Sequence, residues 1–133
     1  MPQKITKGIK ALLDQANAEI ALMPVAEAKA RITDDAYLFV DLRDIREIQR
    51  SGMIPGAFSC PRGMLEFWID PDSPYHKPEF NQDKTFVFYC ASAWRSALAA
   101  KTAQDMGLAP VMHLEGGFTK WAKDGGDVAE RQK

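Results

Sequence analysis

The sequence has few of the features that mark disulfide-rich, membrane-spanning or nucleic-acid-binding proteins. It contains only two cysteines in 133 residues, Cys60 and Cys90, which is too few for a disulfide-stapled scaffold. No apolar run approaches the roughly 18 residues that a spanning helix needs. Its 17 Lys and Arg residues are scattered among 18 Asp and Glu residues, so the net charge is only -1. We therefore expect a small-molecule or protein partner, with no nucleic acid and no membrane.

The first 22 residues also lack the pattern of a secretory signal. Polar residues such as Asp14, Asn17 and Glu19 interrupt the apolar positions, and no small-residue cleavage site follows. Together with the low cysteine content, this predicts a cytoplasmic protein.

The length of the chain suits one domain. We expect an N-terminal amphipathic helix as an extension over residues 1–22, the main domain over 23–129 and a tail over 130–133.

Strand-like and helix-like segments alternate along the main domain. Strands are predicted at 37–40, 57–59, 85–89 and 111–114, and helices at 44–50, 62–69, 93–106 and 118–123. The run TFVFY at 85–89 is the clearest strand, since all its residues are β-branched or aromatic. This alternation predicts an α/β fold with a mainly parallel sheet.

The segment YCASAWRS, residues 89–96, places a cysteine directly after that strand. Ligands bind at the carboxyl ends of the strands in an open parallel sheet. If the backbone N–H groups of residues 90–95 point inward, they form an anion site at the start of the next helix, and the first anion stabilised would be the Cys90 thiolate. Small side chains allow close approach of a ligand, and one guanidinium can bind an oxyanion. The expected substrate-binding residues are therefore Ala91, Ser92, Ala93, Trp94 and Arg95.

An inert role for Cys90 is the alternative, because a cysteine at the end of a buried strand is often a small core residue. The small neighbours, Arg95 and the strand-loop-helix context favour a reactive thiol. No histidine is adjacent in sequence, and a thiolate stabilised by the loop would not need one. Cys60 precedes Pro61 and is more simply interpreted as a buried, inert thiol.

From about residue 24 to residue 128 the sequence resembles a single-domain rhodanese-like sulfurtransferase. Four segments carry the resemblance, in the family's order: Asp41-Leu42-Arg43, SGMIPGA at 51–57, CASAWRS at 90–96 and LEGGFTKW at 114–121. They resemble the family's Asp-aliphatic-Arg, G-H-I-P-G-A, C-x-x-G-x-R-S and L-x-G-G-x-x-x-W motifs. The resemblance implies a three-layer domain with helices on both faces of the sheet.

The same resemblance implies a sulfurtransferase with Cys90 as the catalytic nucleophile. A small anionic sulfur donor such as thiosulfate would leave a persulfide on Cys90, and a thiol or cyanide, including a protein thiol, would accept the sulfur. Neither a metal nor an organic cofactor is expected. Asp41 and Arg43 would support the active loop through hydrogen bonds to its backbone, or would form an ion pair that only ties the strand end to its neighbour.

Loop length separates subfamilies in this resemblance. Cys90 to Arg95 counts six residues, as in relatives that act on sulfur, whereas cell-cycle phosphatases of this fold have one residue more. A phosphatase or arsenate reductase is thus a minor alternative. A persulfide carrier or docking module with little thiosulfate turnover is the main competing function, because the loop offers one cation only.

Two positions depart from the family motifs. Ala93 stands where the loop usually has Gly, and an Ala forced to positive φ would cost about 1 kcal/mol. Met53 replaces the usual His of G-H-I-P-G-A in a supporting turn. The segment at 62–80, with Phe67, Trp68 and Tyr75, either walls the pocket mouth or covers the sheet edge.

Overall fold

Strands and helices alternate along residues 2–130, which are the residues that the computed structural model describes. The strands are β1 (Ala21–Met23), β2 (Tyr37–Asp41), β3 (Phe58–Ser59), β4 (Thr85–Tyr89) and β5 (Val111–Leu114). The helices are α1 (Ile9–Glu19), α2 (Val25–Arg31), α3 (Ile45–Ser51), α4 (Leu65–Ile69), α5 (Trp94–Asp105) and α6 (Gly117–Lys123). The five strands form one sheet in the order β1-β5-β4-β2-β3, and every neighbouring pair is parallel.

The central strand β4 has the bounds that the sequence predicts. Both of its faces are buried, because helices cover the parallel sheet on each side. Phe86 and Phe88 point into one apolar cluster, and Val87 and Tyr89 point into the other. The absence of polar alternation in this segment follows directly from burial on both faces.

Helices lie on both faces of the sheet. Apolar residues of α1, α4 and α5, including Ala16, Leu65 and Ala100, pack into the cluster on one face. On the other face α2 and α6 contribute Val25 and Trp121. The expected three-layer α/β fold with a parallel central sheet is confirmed.

The N-terminal segment is more closely joined to the domain than the sequence suggests. Ala16 of α1 is fully buried, and α1 packs along α5. Strand β1, which the sequence does not predict, pairs with β5 through Ala21↔Met112 and Met23↔Leu114. It crosses the expected boundary between residues 22 and 23, so the sheet has five strands instead of four. Within residues 2–130, no helix combines the length and apolar character that crossing a membrane requires.

The C-terminal end of the described chain returns to the domain. Ala129 forms an isolated antiparallel bridge with Met53, which agrees with a structural role for the segment at 51–57. The remaining residues of the predicted tail, 131–133, lie outside the described residues, as does residue 1.

The strand register brings the chemically interesting segments to one edge of the sheet. Asp41 at the end of β2 lies opposite Tyr89 at the end of β4, and the Leu42 N–H donates to the Tyr89 carbonyl at 2.9 Å. Arg43 and Cys90 therefore follow neighbouring strands at their carboxyl ends. This is the edge at which parallel α/β sheets bind ligands.

Candidate active site

Cys90 follows β4 directly and its sulfur lies at the start of α5. Its side chain is buried, and the Ser96 N–H donates to Cys90 Sγ at 3.4 Å. Ser96 is the third residue of α5, so this N–H is one of the helix's first four, which have no partner within the helix. A negative charge on the sulfur is stabilised there by the N–H and by the helix dipole.

The loop enters α5 through a left-handed residue. Ala93, at the N-cap position, has φ 76° and ψ 4°, and it is the one non-glycine residue with positive φ among residues 2–130. Ala93 therefore adopts the conformation that glycine favours, and the loop keeps this shape despite the Cβ. Next to it, Trp94 is 64% exposed, so the indole points away from the core.

The Arg95 guanidinium is held by Glu47. Its two terminal nitrogens donate to the two carboxylate oxygens at 2.8 and 2.9 Å, which is a bidentate ion pair. The hydrogen bonds with Arg95 lower the pKa of Glu47 to about 2. They also raise the pKa of Arg95, and the Cys90 sulfur nearby adds to this shift. The guanidinium of the Cys90 loop is therefore bound by a carboxylate from α3.

The helix α3 fixes the position of Glu47. Asp44 is the N-cap: its side chain accepts from the N–H groups of Arg46 and Glu47, and its own N–H donates to Glu47 Oε2 at 2.9 Å. This reciprocal arrangement is a capping box. Because the same carboxylate also binds Arg95, the start of α3 is tied to the Cys90 loop.

The glycine pair at the start of α6 braces the other side of the loop. The Phe118 N–H donates to the Cys90 carbonyl at 2.7 Å, and the Thr119 N–H donates to the Ala91 carbonyl at 3.0 Å. Gly117 has φ +65°, and a Cβ there would lie 2.6 Å from both carbonyl oxygens. Gly117 therefore does more than form a turn, because only glycine permits this approach.

Asp41 and Arg43 form a buried ion pair beside the loop. Arg43 Nε and Nη2 donate to the two Asp41 oxygens at 3.0 and 2.8 Å, and Nη2 also donates to the Gly52 carbonyl at 2.7 Å. The guanidinium lies 4.2 Å from the Phe118 ring centroid. These contacts correspond to the second expected role, an ion pair that ties the end of β2 to the segment at 51–57.

One histidine reaches the loop indirectly. His113 on β5 is buried, and its Nδ1 lies 3.2 Å from Ser96 Oγ. Burial lowers the pKa of His113, which favours the neutral imidazole. The second histidine, His76, is bonded through Nδ1 to the Trp68 carbonyl at 2.9 Å.

The other cysteine is chemically quiet. Cys60 is fully buried, and burial raises the pKa of its thiol to about 12. It therefore stays protonated at neutral pH and is a poor nucleophile. Both cysteines are free thiols.

The segment at 62–80 is partly packed against the sheet and partly exposed. Trp68 and Phe80 pack on Phe58, with ring centroids 5.8 and 5.7 Å apart, and cover the sheet. Phe67 and Tyr75 are more than half exposed and lie edge to face, with ring centroids 6.4 Å apart.

Among residues 2–130, no group of three or more His, Cys, Asp or Glu side chains is arranged to hold a metal ion.

The sequence does not predict the contacts that Glu47, Ser96 and His113 make at this site. The sequence allows His113 and His76 to approach Cys90 in space, and only His113 contacts a partner of the loop. The pattern Asp44-x-x-Glu47 does indicate a capping box, and Ser96 belongs to the CASAWRS motif. The contacts of Glu47 with Arg95, 48 positions away, and of His113 with Ser96 arise only on folding.

Comparison with known protein families and sequences identifies one family. The family model for the rhodanese-like domain matches residues 24–124. A protein named "Sulfurtransferase" from Allochromatium vinosum is 34% identical over 93 residues, which are 70% of this chain and 78% of that protein.

Two solved structures extend the comparison. A protein of unknown function from Rhodopseudomonas palustris CGA009, described as a possible tyrosine phosphatase, is 61% identical with a TM-score of 0.94. The match covers 97% of this chain and 99% of that one. A thiosulfate sulfurtransferase from Pseudomonas aeruginosa has a TM-score of 0.76 at 22% identity, covering 94% of this chain and 23% of that one, which shows a shared fold alone.

Proposed function

The chain belongs to the rhodanese-like domain family, and from this premise we propose a sulfurtransferase that carries the transferred sulfur as a persulfide on Cys90. The observation that carries the proposal is the position of Cys90 Sγ at the start of α5, where the Ser96 N–H contacts it. A site of this kind stabilises a thiolate before the reaction and an anionic persulfide after it.

The reaction has two steps. In the first, the Cys90 thiolate attacks the outer sulfur of a donor such as thiosulfate, a new S–S bond forms, and sulfite leaves with the electron pair of the old one. In the second, an acceptor thiolate or cyanide attacks the terminal sulfur, and Cys90 leaves as the thiolate. No net oxidation occurs, since one sulfur atom moves between nucleophiles.

The loop residues have distinct roles in this proposal. The backbone of Ala91, Ser92 and Ala93 lines the space in front of the sulfur, and Arg95 provides the nearby positive charge. Trp94 stands at the rim, where its exposed ring can contact an acceptor. Asp41 and Arg43 support the loop indirectly by fixing the end of β2, which lies beside the end of β4 from which the loop departs. A cytoplasmic location fits this chemistry, because both thiols would stay reduced there.

Intact-mass spectrometry tests the proposal directly. Incubation with thiosulfate should add the mass of one sulfur atom, and a thiol reductant should remove it. Cys60→Ala is the matched control and should keep the adduct, whereas Cys90→Ser should lack it. Absence of the adduct with every sulfane donor tried would refute the proposal.

A persulfide carrier is the second candidate function. The bidentate bond between Glu47 and Arg95 favours it, because the one guanidinium of the loop is already engaged by a carboxylate. In a carrier, Cys90 receives sulfur from one protein and delivers it to another. Adduct formation with negligible thiocyanate production from cyanide would support the carrier over the thiosulfate enzyme.

A phosphatase is the third candidate, raised by the description of the Rhodopseudomonas palustris protein. The six-residue loop from Cys90 to Arg95 argues for sulfur, since the resemblance associates phosphatases with a longer loop. Turnover of an aryl phosphate by the protein and its loss in Cys90→Ser would overturn this argument.

A further inference from the structure

Glu47 binds the Cys90 loop without a part in the proposed chemistry. Its carboxylate forms a bidentate ion pair with Arg95, the last residue of that loop. Three hydrogen bonds hold it, two from Arg95 and one from the Asp44 N–H. Its side chain is only 24% exposed, so solvent screens its charge incompletely.

Two pairs of opposite charges lie at this end of the sheet. Asp41 neutralises Arg43 in the buried pair, and Glu47 neutralises Arg95 at the loop. The segment from Cys90 to Arg95 contains no other basic residue. What remains for an anion is the set of backbone N–H groups and the start of α5, which together correspond to roughly half a positive charge.

A site of this kind binds a donor with one negative charge differently from a donor with two. The Arg95 nitrogens that would bind a dianion already donate to Glu47, so binding requires either breaking that pair or accepting repulsion from the carboxylate. A donor with one negative charge needs only the backbone groups. At a protein surface, one unit charge across several ångströms changes a rate or binding constant by about tenfold.

We propose that Glu47 selects the sulfur donor by its charge, so that the site uses thiosulfonates and persulfides with at most one negative charge at the reacting end in preference to dianionic thiosulfate. This inference rests on the proposed persulfide chemistry and names the donor class. The first step has the same balance for all three donors. The Cys90 thiolate takes the outer sulfur, and the leaving group departs with the electron pair of the broken bond: a sulfinate from a thiosulfonate, a thiolate from a persulfide and sulfite from thiosulfate.

The test compares thiosulfate with methanethiosulfonate, which differ by one negative charge at the group that leaves. Single-turnover persulfide formation on Cys90 is followed by quenched intact-mass spectrometry, and the ratio of the two second-order rate constants is determined. Glu47→Gln keeps the shape and an oxygen acceptor for Arg95 while removing the charge. We expect it to raise the thiosulfate to methanethiosulfonate ratio about tenfold.

Two further variants complete the design. Glu47→Ala also frees the Arg95 nitrogens and should raise the ratio at least as far. Asp105→Asn is the matched control, since Asp105 is an exposed acid at the far end of α5, paired with Lys101 at 2.7 Å, and its loss should leave the ratio within about twofold. Circular dichroism confirms that each variant is folded.

The outcomes separate the two ideas. Persulfide formation with a ratio that neither Glu47 variant raises would refute selection by charge and leave the proposed function standing. Failure of both donors to form a persulfide on the unmodified protein would refute the proposed function, and the inference with it.

Discussion

The side chains of Ser96 and His113 meet inside the fold, with 3.2 Å between Ser96 Oγ and His113 Nδ1. The same Ser96 donates its backbone N–H to the Cys90 sulfur. His113 is therefore linked to Cys90 through Ser96 at the start of α5. Because burial lowers the pKa of His113, the imidazole is neutral and offers one donor and one acceptor nitrogen.

The contact between Ser96 and His113 predicts different reaction rates for two replacements of His113. His113→Leu should slow both persulfide formation and alkylation of Cys90 about tenfold, because the buried Ser96 hydroxyl loses its partner and the helix start shifts. His113→Asn places an amide near the position of Nδ1 and should keep most of both rates. Stopped-flow alkylation and the persulfide assay measure the two rates.

A purely structural role would give another pattern. Both variants would then lose stability in urea unfolding while the rate of Cys90 alkylation stayed unchanged. Equal loss of rate in the Asn and Leu variants would also contradict the positioning role.

Ala93 provides the second prediction. Its φ of 76° is costly for a residue with a Cβ, so Ala93→Gly should increase the free energy of unfolding by up to about 1 kcal/mol. The rate of sulfur transfer should rise as well, since the loop no longer stores this strain. Urea unfolding and the persulfide assay measure the two effects.

Ala91→Gly is the matched control in the same loop. Ala91 is not among the residues with positive φ, so glycine there only adds freedom to the unfolded chain and should destabilise the protein. An Ala93→Gly variant that is also destabilised, or slower in transfer, would show that the loop accommodates the Ala without strain.

The sequence predicts the central elements well because their signals are local. Strand β4 is a continuous apolar run with the observed bounds, and α5 is a long Ala-rich segment ended by Gly107, which has φ +105°. Strand β1 has only three residues, and its pairing with β5 joins positions about 90 residues apart. A segment so short carries no periodicity, and its partner is not visible in the sequence.

In the candidate site, too, features with a local signal can be predicted and long-range contacts cannot. The position of Cys90 after β4 and the left-handed conformation at residue 93 follow from local motifs. The partners of the loop do not, because Glu47, Gly117 and His113 reach it from α3, α6 and β5. Charge compensation at Arg95 could therefore not be predicted, although it decides how many charges remain for a substrate.

The buried pair of Asp41 and Arg43 leads to a prediction on stability. Arg43→Met should lower the free energy of unfolding by about 3–5 kcal/mol, because it leaves the fully buried Asp41 carboxylate without its countercharge. Arg46→Met on the surface of α3 is the matched control and should change stability by less than about 0.5 kcal/mol. Urea unfolding measures both.

A second replacement tests whether the unpaired Asp41 charge causes the loss of stability. Adding Asp41→Asn to Arg43→Met removes the stranded charge and should recover part of the loss. If the double variant is as unstable as the sum of the two single ones, the loss comes from packing against Phe118 and not from charge.

The pKa of Glu47 predicts how stability depends on acidity. Hydrogen bonding to Arg95 lowers this pKa to about 2 in the folded protein, from an ordinary value of 4.5. The folded state then binds fewer protons than the unfolded state between these values, so the stabilisation is complete above about pH 4.5 and is lost as the pH falls toward 2. Because Arg95 is 41% exposed, we expect a contribution of only about 1 kcal/mol.

Urea unfolding from pH 7 to pH 2.5 tests this pH dependence. The difference in the free energy of unfolding between the unmodified protein and Glu47→Gln should shrink below pH 4.5, and Asp105→Asn serves as the exposed-acid control. A difference that persists at the same size to pH 2.5 would mean that Glu47 stabilises the fold through the capping of α3 and not through its charge.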